Sequence, residues 1–401
     1  MNILFVSELF YPHGGGAEFA TYLYAKLLSE VGFNIIVITN KFAGEQECFK
    51  SKNLIVYRLP FFKSRTGVKY SILRRLDVSF SSFMKKLMKW TNVVYIPRFW
   101  YSMVPVAKAH KKPVIVHVHD YTPICPLAIM YDSSRKAICR NRSICSARCI
   151  YQFEKNKNSS FRESALSVSL NLFADMFSKK LIAPAEAILC VSKAQRDILI
   201  KHFPIICHKT HVIYNPLPDL LPLDIDGEGF GYFGGLNLLK GFGALYDALA
   251  FLNDPSLRVY VTGLSTLNEE LAKSFDHVGM TLRKRLEYNK QENFYRQIKG
   301  VIFPSITPEP LPYVTAEALL RARILIASKI GGIPEQVKGC KGAFLFDAGN
   351  YVELAGILKY VQSLDKETVL DLGFQNREAF VKNFNNEKTI SEFVNVISHL
   401  T

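Results

Sequence analysis

The chain has no apolar run of the roughly 18 residues that a bilayer span requires, and its opening Met1-Asn2-Ile3-Leu4-Phe5-Val6 lacks the basic region and length of a signal peptide. A membrane-spanning or secreted protein is therefore not expected, and the location expected is cytoplasmic. The sequons at Asn141 and Asn158 then read as chance matches. No long stretch is polar enough to stay disordered, since 49% of the residues are hydrophobic. Paired Cys-x2-Cys knuckles are missing among the eight cysteines, which removes the most familiar zinc-binding arrangement. Acids are scarce in one place above all: residues 61–112 hold twelve Lys or Arg against the single acid Asp77, supplying +11 of the net +15.

Within that basic segment Lys63, Arg65, Lys69, Arg74, Arg75, Lys85, Lys86 and Lys89 alternate with bulky apolar residues such as Phe61, Tyr70, Leu76, Phe83, Leu87 and Trp90. Two readings compete. The pattern suits peripheral contact with an anionic membrane at its inner face; equally, the apolar residues could face a core while the charges are solvated. Nucleic acid is not expected as a partner, because no recognition motif accompanies the charge.

At 401 residues the chain exceeds what one core usually serves, so two domains of about 150 to 200 residues are expected. The first opens as a strand (2–6), the turn Gly14-Gly15-Gly16-Ala17-Glu18, a helix with Ala20, Leu23, Tyr24, Leu27 and Leu28 on one face, and a second strand (34–38). Small residues in such a turn let backbone approach a phosphate, although glycines also serve plain turns. Further strands are predicted at 114–118, 187–191, 211–213, 230–233 and 259–261, alternating with helical stretches. This alternation implies α/β architecture with parallel sheets covered on both faces. Asn215-Pro216-Leu217-Pro218 through Gly229 reads as the interdomain linker, and Gly231-Tyr232-Phe233-Gly234-Gly235 then starts a second Rossmann-like half.

The most informative stretch runs Pro304-Ser305-Ile306-Thr307-Pro308-Glu309-Pro310-Leu311-Pro312-Tyr313-Val314-Thr315-Ala316-Glu317-Ala318-Leu319, followed by Gly331-Gly332-Ile333-Pro334-Glu335. Prolines at 310 and 312 keep Glu309 on a loop, and proline suits a first helical turn, so a helix is predicted from about Tyr313 to Leu320 carrying Glu317. Strands at 301–303 and 324–327 flank it. In such units ligands sit beyond the carboxyl ends of the strands, and a helix N-terminus attracts anions. A phosphate flanked by hydroxyls would suit the site.

The Glu309-x7-Glu317 spacing inside Pro-Ser-x3-Glu-Pro, with the following Gly-Gly-Ile-Pro-Glu, resembles the donor-site motif of family 4 glycosyltransferases. The resemblance extends in order through Gly14 to Glu18, His119-Asp120, Val191-Ser192, Asn215-Pro216, Lys240-Gly241, Glu309 to Glu317 and Gly331 to Glu335. It implies the GT-B fold, two Rossmann-like doubly wound domains facing each other across a cleft: an acceptor-binding domain at 1–214, with the last helix (387–401) packing back on it, and a nucleotide-sugar donor domain at 215–386. It implies a retaining transfer of a hexose-type sugar from a UDP- or GDP-sugar to a saccharide or lipid-linked saccharide. His119 and Glu309 would be catalytic. Gly15, Gly16, Lys240, Glu309, Leu311, Tyr313, Val314 and Glu317 would bind the donor, Glu309 through sugar hydroxyls and Glu317 through the ribose. No cofactor or catalytic metal is expected; Asp224-Ile225-Asp226, which resembles a metal-binding Asp-x-Asp, falls in the linker.

Three positions depart from the family pattern. Gly235 stands where the diphosphate clamp usually has arginine, Pro312 removes an N–H from the helix start where glycine is usual, and Arg321-Ala322-Arg323 replaces a usual glycine before the next strand. The two arginines are read as solvated surface. His117 is expected to be a buried structural histidine on the strand face opposite His119. Cys125, Cys139, Cys145 and Cys149, with 13, 5 and 3 residues between them, either hold a structural metal or are simply buried. Two other functions fit parts of the pattern: a nucleotide-sugar epimerase on a similar scaffold, and a non-enzymatic basic surface-binding protein with a degenerate donor site. A two-carboxylate glycosidase fits less well, because the pair faces a phosphate site.

Overall fold

The computed structural model describes residues 1–60, 81–139, 146–156, 160–287 and 290–400. The chain divides into two compact units: Met1–Leu217 together with Asn386–Thr401, and Pro218–Asn385.

The first unit is built on an eight-stranded sheet of β1 (Asn2–Val6), β2 (Asn34–Asn40), β3 (Cys48–Ser51), β4 (Leu54–Leu59), β5 (Val93–Ile96), β6 (Val114–Val118), β9 (Ala187–Cys190) and β10 (Thr210–Val212), while β7 (Tyr131–Asp132) and β8 (Ala137–Ile138) form a separate small hairpin. The order is β10-β9-β6-β5-β1-β2-β4-β3, parallel except that β3 runs antiparallel to β4. Its central strands read as continuous apolar runs because both faces are covered. Alternate residues of β1 serve different cores, Leu4 and Val6 on one face and Ile3 and Phe5 on the other. The second core is completed by the last helix, Asn386–Ser398, which contributes Ile390, Phe393 and Ile397. Phe393 lies 5.1 Å from the ring of Tyr24 and 5.3 Å from that of Tyr95. Asn386 closes the unit by a reciprocal amide pair, accepting from Leu217 N at 2.7 Å and donating to Leu217 O at 3.0 Å.

The second unit carries β11 (Gly229–Tyr232), β12 (Val259–Leu264), β13 (Met280–Lys284), β14 (Ile298–Phe303), β15 (Ile324–Ser328) and β16 (Ala343–Phe346), all parallel in the order β13-β12-β11-β14-β15-β16. Strand order reverses between β11 and β14. In doubly wound sheets that switch point is where ligands bind, outside the carboxyl ends of the strands.

Two expectations change against this fold. The helix Ser82–Trp90 buries Met84, Leu87 and Met88 and leaves Lys85, Lys86 and Lys89 exposed, so its basic and apolar residues alternate because one helical face meets the core. The rest of the proposed membrane segment, residues 61–80, lies outside the described residues. Arg321 and Arg323 are not solvated: they are 4% and 0% exposed. Arg323 donates to the carbonyls of Tyr295, Leu223, Arg321, Ala322 and Asp224, fastening Leu223 and Asp224 to the rest of the second unit, and Arg321 lies over the Tyr295 ring at 4.4 Å. Between them Ala322 has φ +56, a left-handed conformation that suits the glycine expected there.

Candidate active site

At the switch point three loops are locked together through backbone contacts. Lys240-Gly241 follows β11; Gly241 has φ +84, and a Cβ on it would lie 1.8 Å from Pro304 O. Leu239 O accepts from Ile306 N at 3.1 Å and Ser305 Oγ at 3.2 Å. Gly331 has φ +57 and its Cβ would lie 2.1 Å from Glu309 O, while Gly332 N donates to that same carbonyl at 2.9 Å. Only glycine fits at 241 and 331, and both glycines therefore serve to place residue 309.

The Glu309 carboxylate is held directly. Its Oε1 accepts from Lys240 Nζ at 2.5 Å and from Ser305 Oγ at 3.2 Å. Lys240 remains partly exposed, at 42%, against 16% for Glu309. The next helix, Tyr313–Leu320, begins at Pro312, whose carbonyl accepts from Thr315 Oγ1 at 2.7 Å and Gln336 Nε2 at 3.1 Å. A positive helix end thus stands beside a lysine and a carboxylate, a combination suited to a phosphate joined to a polyol. Glu317, within that helix, is 8% exposed. Burial raises its carboxyl to about 7, with Arg321 one turn later pulling in the other direction.

The carboxyl edge of the first unit's sheet is organised differently. Gly14, at φ +98, leaves room for the side chain of Glu18, whose Oε2 accepts from Gly15 N at 2.7 Å. Glu18 Oε1 accepts from Arg98 Nη1 at 2.7 Å, and Arg98 Nε reaches Asp120 Oδ2 at 3.0 Å. Burial alone would lower the basicity of this guanidinium, but the Asp120 and Glu18 charges outweigh it and hold the group protonated. His119 follows β6, with a buried Nε2 that has no protein partner among the described residues. Burial, then Arg98, lowers His119 to about 3, against a smaller opposing pull from Asp120. It therefore acts as a neutral imidazole at any working pH.

His117 is buried, as expected, and bonds Tyr95 Oη through Nδ1 at 2.7 Å. Its placement on the face opposite His119 is wrong. The two rings lie 4.3 Å apart, because a strand period of two puts residues i and i+2 on the same face.

Two family models match the chain. The model described as Glycosyltransferase Family 4 matches residues 14–219, and that described as Glycosyl transferases group 1 matches 227–362. The chain belongs to glycosyltransferase family 4. A relative from Klebsiella pneumoniae, described as an uncharacterized 42.6 kDa protein in cps region, is 24% identical over 84% of this chain and 87% of its own length. Among solved structures, the sucrose-phosphate synthase of Thermosynechococcus elongatus superposes with a TM-score of 0.72 at 14% identity, covering 100% of this chain and 98% of that one. Anabaena HepE, solved in complex with UDP-glucose, gives 0.64 at 18% identity with complete coverage of both chains. The fold is GT-B.

In this family 4 glycosyltransferase the second unit brings Lys240 and Glu309 into contact and places Leu311, Tyr313, Val314 and Glu317 along the adjoining loop and helix. Gly15, Gly16 and His119 belong to the first unit. Sequence reasoning missed Arg98. Its partners lie 80 and 22 residues away, and the only available signal was a lone arginine just past a strand's carboxyl end. Gly235 has φ +57, with its Cβ position 3.3 Å from Gly263 O; an arginine there would need left-handed backbone. Cys125, Cys139 and Cys149 share one core cluster, and Cys145 lies outside the described residues. Among the described residues no group of three or more His, Cys, Asp or Glu is placed to hold a metal ion. No described helix is long and apolar enough to cross a membrane.

Proposed function

We propose that this glycosyltransferase is a retaining enzyme that moves a hexose from a nucleotide sugar to a saccharide or lipid-linked saccharide. The observation that carries the reading is the Lys240–Glu309 pair, fixed by glycine-dependent loop packing beside the helix that starts at Tyr313. Lys240 and the first helical turn, at Tyr313 and Val314, take the diphosphate, with Leu311 closing the loop against it. Binding frees Glu309 from its lysine, so that the carboxylate can accept from sugar hydroxyls. Glu317 accepts from the ribose. Gly15 and Gly16 leave space for the donor to approach the first unit, and neutral His119 orients the sugar through a hydrogen bond.

In the reaction, the bond from the anomeric carbon to the diphosphate oxygen breaks as the acceptor oxygen bonds to that carbon on the same face. The acceptor proton passes to the departing phosphate oxygen. Catalysis then consists of positioning the two substrates and stabilising the charge that develops on the leaving group, which falls mainly to Lys240 and the helix end.

The test is calorimetric titration with UDP-, GDP- and ADP-sugars, starting from UDP-glucose because HepE was solved with it, followed by product analysis. Saturable binding of one donor is expected, lost in Glu317→Ala, with Lys240→Ala lowering turnover by about a hundredfold. A changed sugar without an acceptor product would mark an epimerase. Failure of every donor to bind would favour a degenerate site.

A further inference from the structure

The loops after β1, β5 and β6 meet at the carboxyl edge of the first unit's sheet, and one side chain joins them. Arg98, just past β5, donates through Nη1 to Glu18 Oε1 at 2.7 Å and through Nε to Asp120 Oδ2 at 3.0 Å. Glu18 in turn holds the glycine turn, accepting from Gly15 N at 2.7 Å. On the other side Asp120 is pinned at three points: by Arg98 on Oδ2, by Thr122 N on Oδ1 at 2.8 Å, and by Gln195 Nε2 on its carbonyl at 3.1 Å. His119 immediately precedes it, with a buried Nε2 that has no protein partner among the described residues. One guanidinium therefore sets the spacing between the Gly15 turn and the His119 imidazole.

The backbone is strained at the next residue. Phe99 is 5% exposed and has φ +40, a left-handed conformation that a bulky residue rarely adopts, and the Arg98 guanidinium lies 4.1 Å from its ring centre. Strain of this kind persists where the surroundings over-determine it, and it gathers at functional sites. The two hydrogen bonds also leave from different nitrogens of one rigid plane, a geometry that lysine does not offer. Charge balance alone would not call for arginine.

We propose that Arg98 is a positioning residue for sugar transfer: by clasping Glu18 and Asp120 it holds the His119 imidazole and the Gly15 turn in one fixed arrangement. For the transfer itself this rests on the function proposed above, in which His119 orients the donor sugar. The clasp also has an electrostatic effect. Burial, then the Arg98 charge, lowers His119 to about 3, and Asp120 pulls less strongly the other way. His117, whose ring lies 4.3 Å from that of His119, is itself held well below the ordinary histidine value by burial and adds no charge, while the Glu18 carboxylate is paired with Arg98. Without Arg98 the Asp120 charge is unopposed, so His119 takes up a proton at higher pH and loses its acceptor nitrogen.

The experiment compares Arg98→Met and Arg98→Lys with wild type at saturating donor from pH 8 to pH 5. Alongside, the ring resonances of labelled histidines are followed in the full chain without donor, His119→Gln assigning the His119 signal. Arg98→Met should lower kcat about tenfold or more while the donor KM rises less than about threefold, and its kcat should fall further towards pH 5, where wild type stays level. Arg98→Lys keeps the charge without the fork, so it should restore the level profile and recover kcat only in part. The His119 signal should stay fixed in wild type, and in Arg98→Met it should differ and move as pH falls. Met88→Ala, which opens a cavity in the core of the same unit, should lose stability yet keep the wild-type profile and His119 signal.

The proposal is overturned if Arg98→Met keeps the wild-type kcat and pH profile, if its His119 signal matches wild type throughout, or if Met88→Ala reproduces both changes. Full recovery in Arg98→Lys would also overturn it, since charge compensation would then suffice. If wild type transfers sugar from no donor, the proposed function fails, and the His119 signal still decides whether Arg98 positions that ring.

Discussion

Both units begin with a strand, a glycine turn and a helix, yet the two glycine turns are used in opposite ways. In the first, the turn amide of Gly15 is already taken by the carboxylate of Glu18, and Arg98 ties that carboxylate to Asp120. The anion position is filled from within the chain. In the second, the turn leads to a cation, Lys240, which holds the mobile end of its charge on Glu309. One edge is a closed electrostatic structure; the other carries a partly exposed charge pair, into which the proposed donor would exchange. A glycine-rich turn after a first strand therefore does not by itself indicate phosphate binding, and the sign of the nearest side chain decides its use.

The strongest way to break this comparison is to remove Arg98. Arg98→Met leaves Glu18 and Asp120 facing each other without their shared cation, and should lower stability by about 3 kcal/mol in a urea denaturation. Nucleotide binding by the folded variant should weaken but survive, because Lys240, Glu309 and Glu317 lie in the other unit and only Gly15, Gly16 and His119 of the proposed donor residues share the first unit with Arg98. Loss of binding altogether would mean that the closed edge is essential to the donor site.

A somewhat smaller effect is expected at Glu317. Its carboxyl stands at about 7 here against 4.5 for an ordinary glutamate. Between those values the folded protein keeps a proton that the unfolded chain has shed, so stability falls as pH rises from 4.5 to about 7 and stays lower above it. Glu317→Gln should therefore raise stability by about 2 kcal/mol at pH 8, with little difference from wild type at pH 4. In the same variant donor binding should weaken. A melting temperature gain that does not depend on pH would show that the carboxyl is not titrating in this range.

The smallest effect sharpens the contrast between the turns. Gly235→Arg supplies the missing cation of the second turn but forces φ near +57, at a cost of about 1 kcal/mol. Donor affinity should rise several-fold through a charge-assisted hydrogen bond to phosphate. Unchanged affinity would place residue 235 away from the diphosphate.

Much of the second unit could be read from its sequence, because its constraints are local. Prolines at 310 and 312 act within a few residues of Glu309, which they keep on its loop, and the helix predicted from Tyr313 to Leu320 runs over those residues. The first unit was less legible. β3 and β4 carry exposed or half-buried positions that dilute their pattern, and β5 follows a basic segment that obscures its four apolar residues. Arg98 gains its meaning only when β1, β5 and β6 lie side by side. Arg323, which in sequence reads as an ordinary basic residue just before a strand, is fully buried because five carbonyls converge on it, a convergence no spacing rule encodes.

The helix that closes the first unit is separated in sequence from that unit's sheet by the whole of the second unit, and this sets an order of assembly. A ribosome releases residues 1–217 long before 386–398 exist, so until then the pocket between Tyr24 and Tyr95 lacks Phe393 and the core around Ile3 and Phe5 stays open. The second unit, uninterrupted in sequence from Pro218 to Asn385, can be completed first. The usual progression of domain folding from the N-terminus is thereby reversed: the first unit is completed after the second, and its Leu217 backbone and Asn386 side chain meet only once residue 386 has been synthesised.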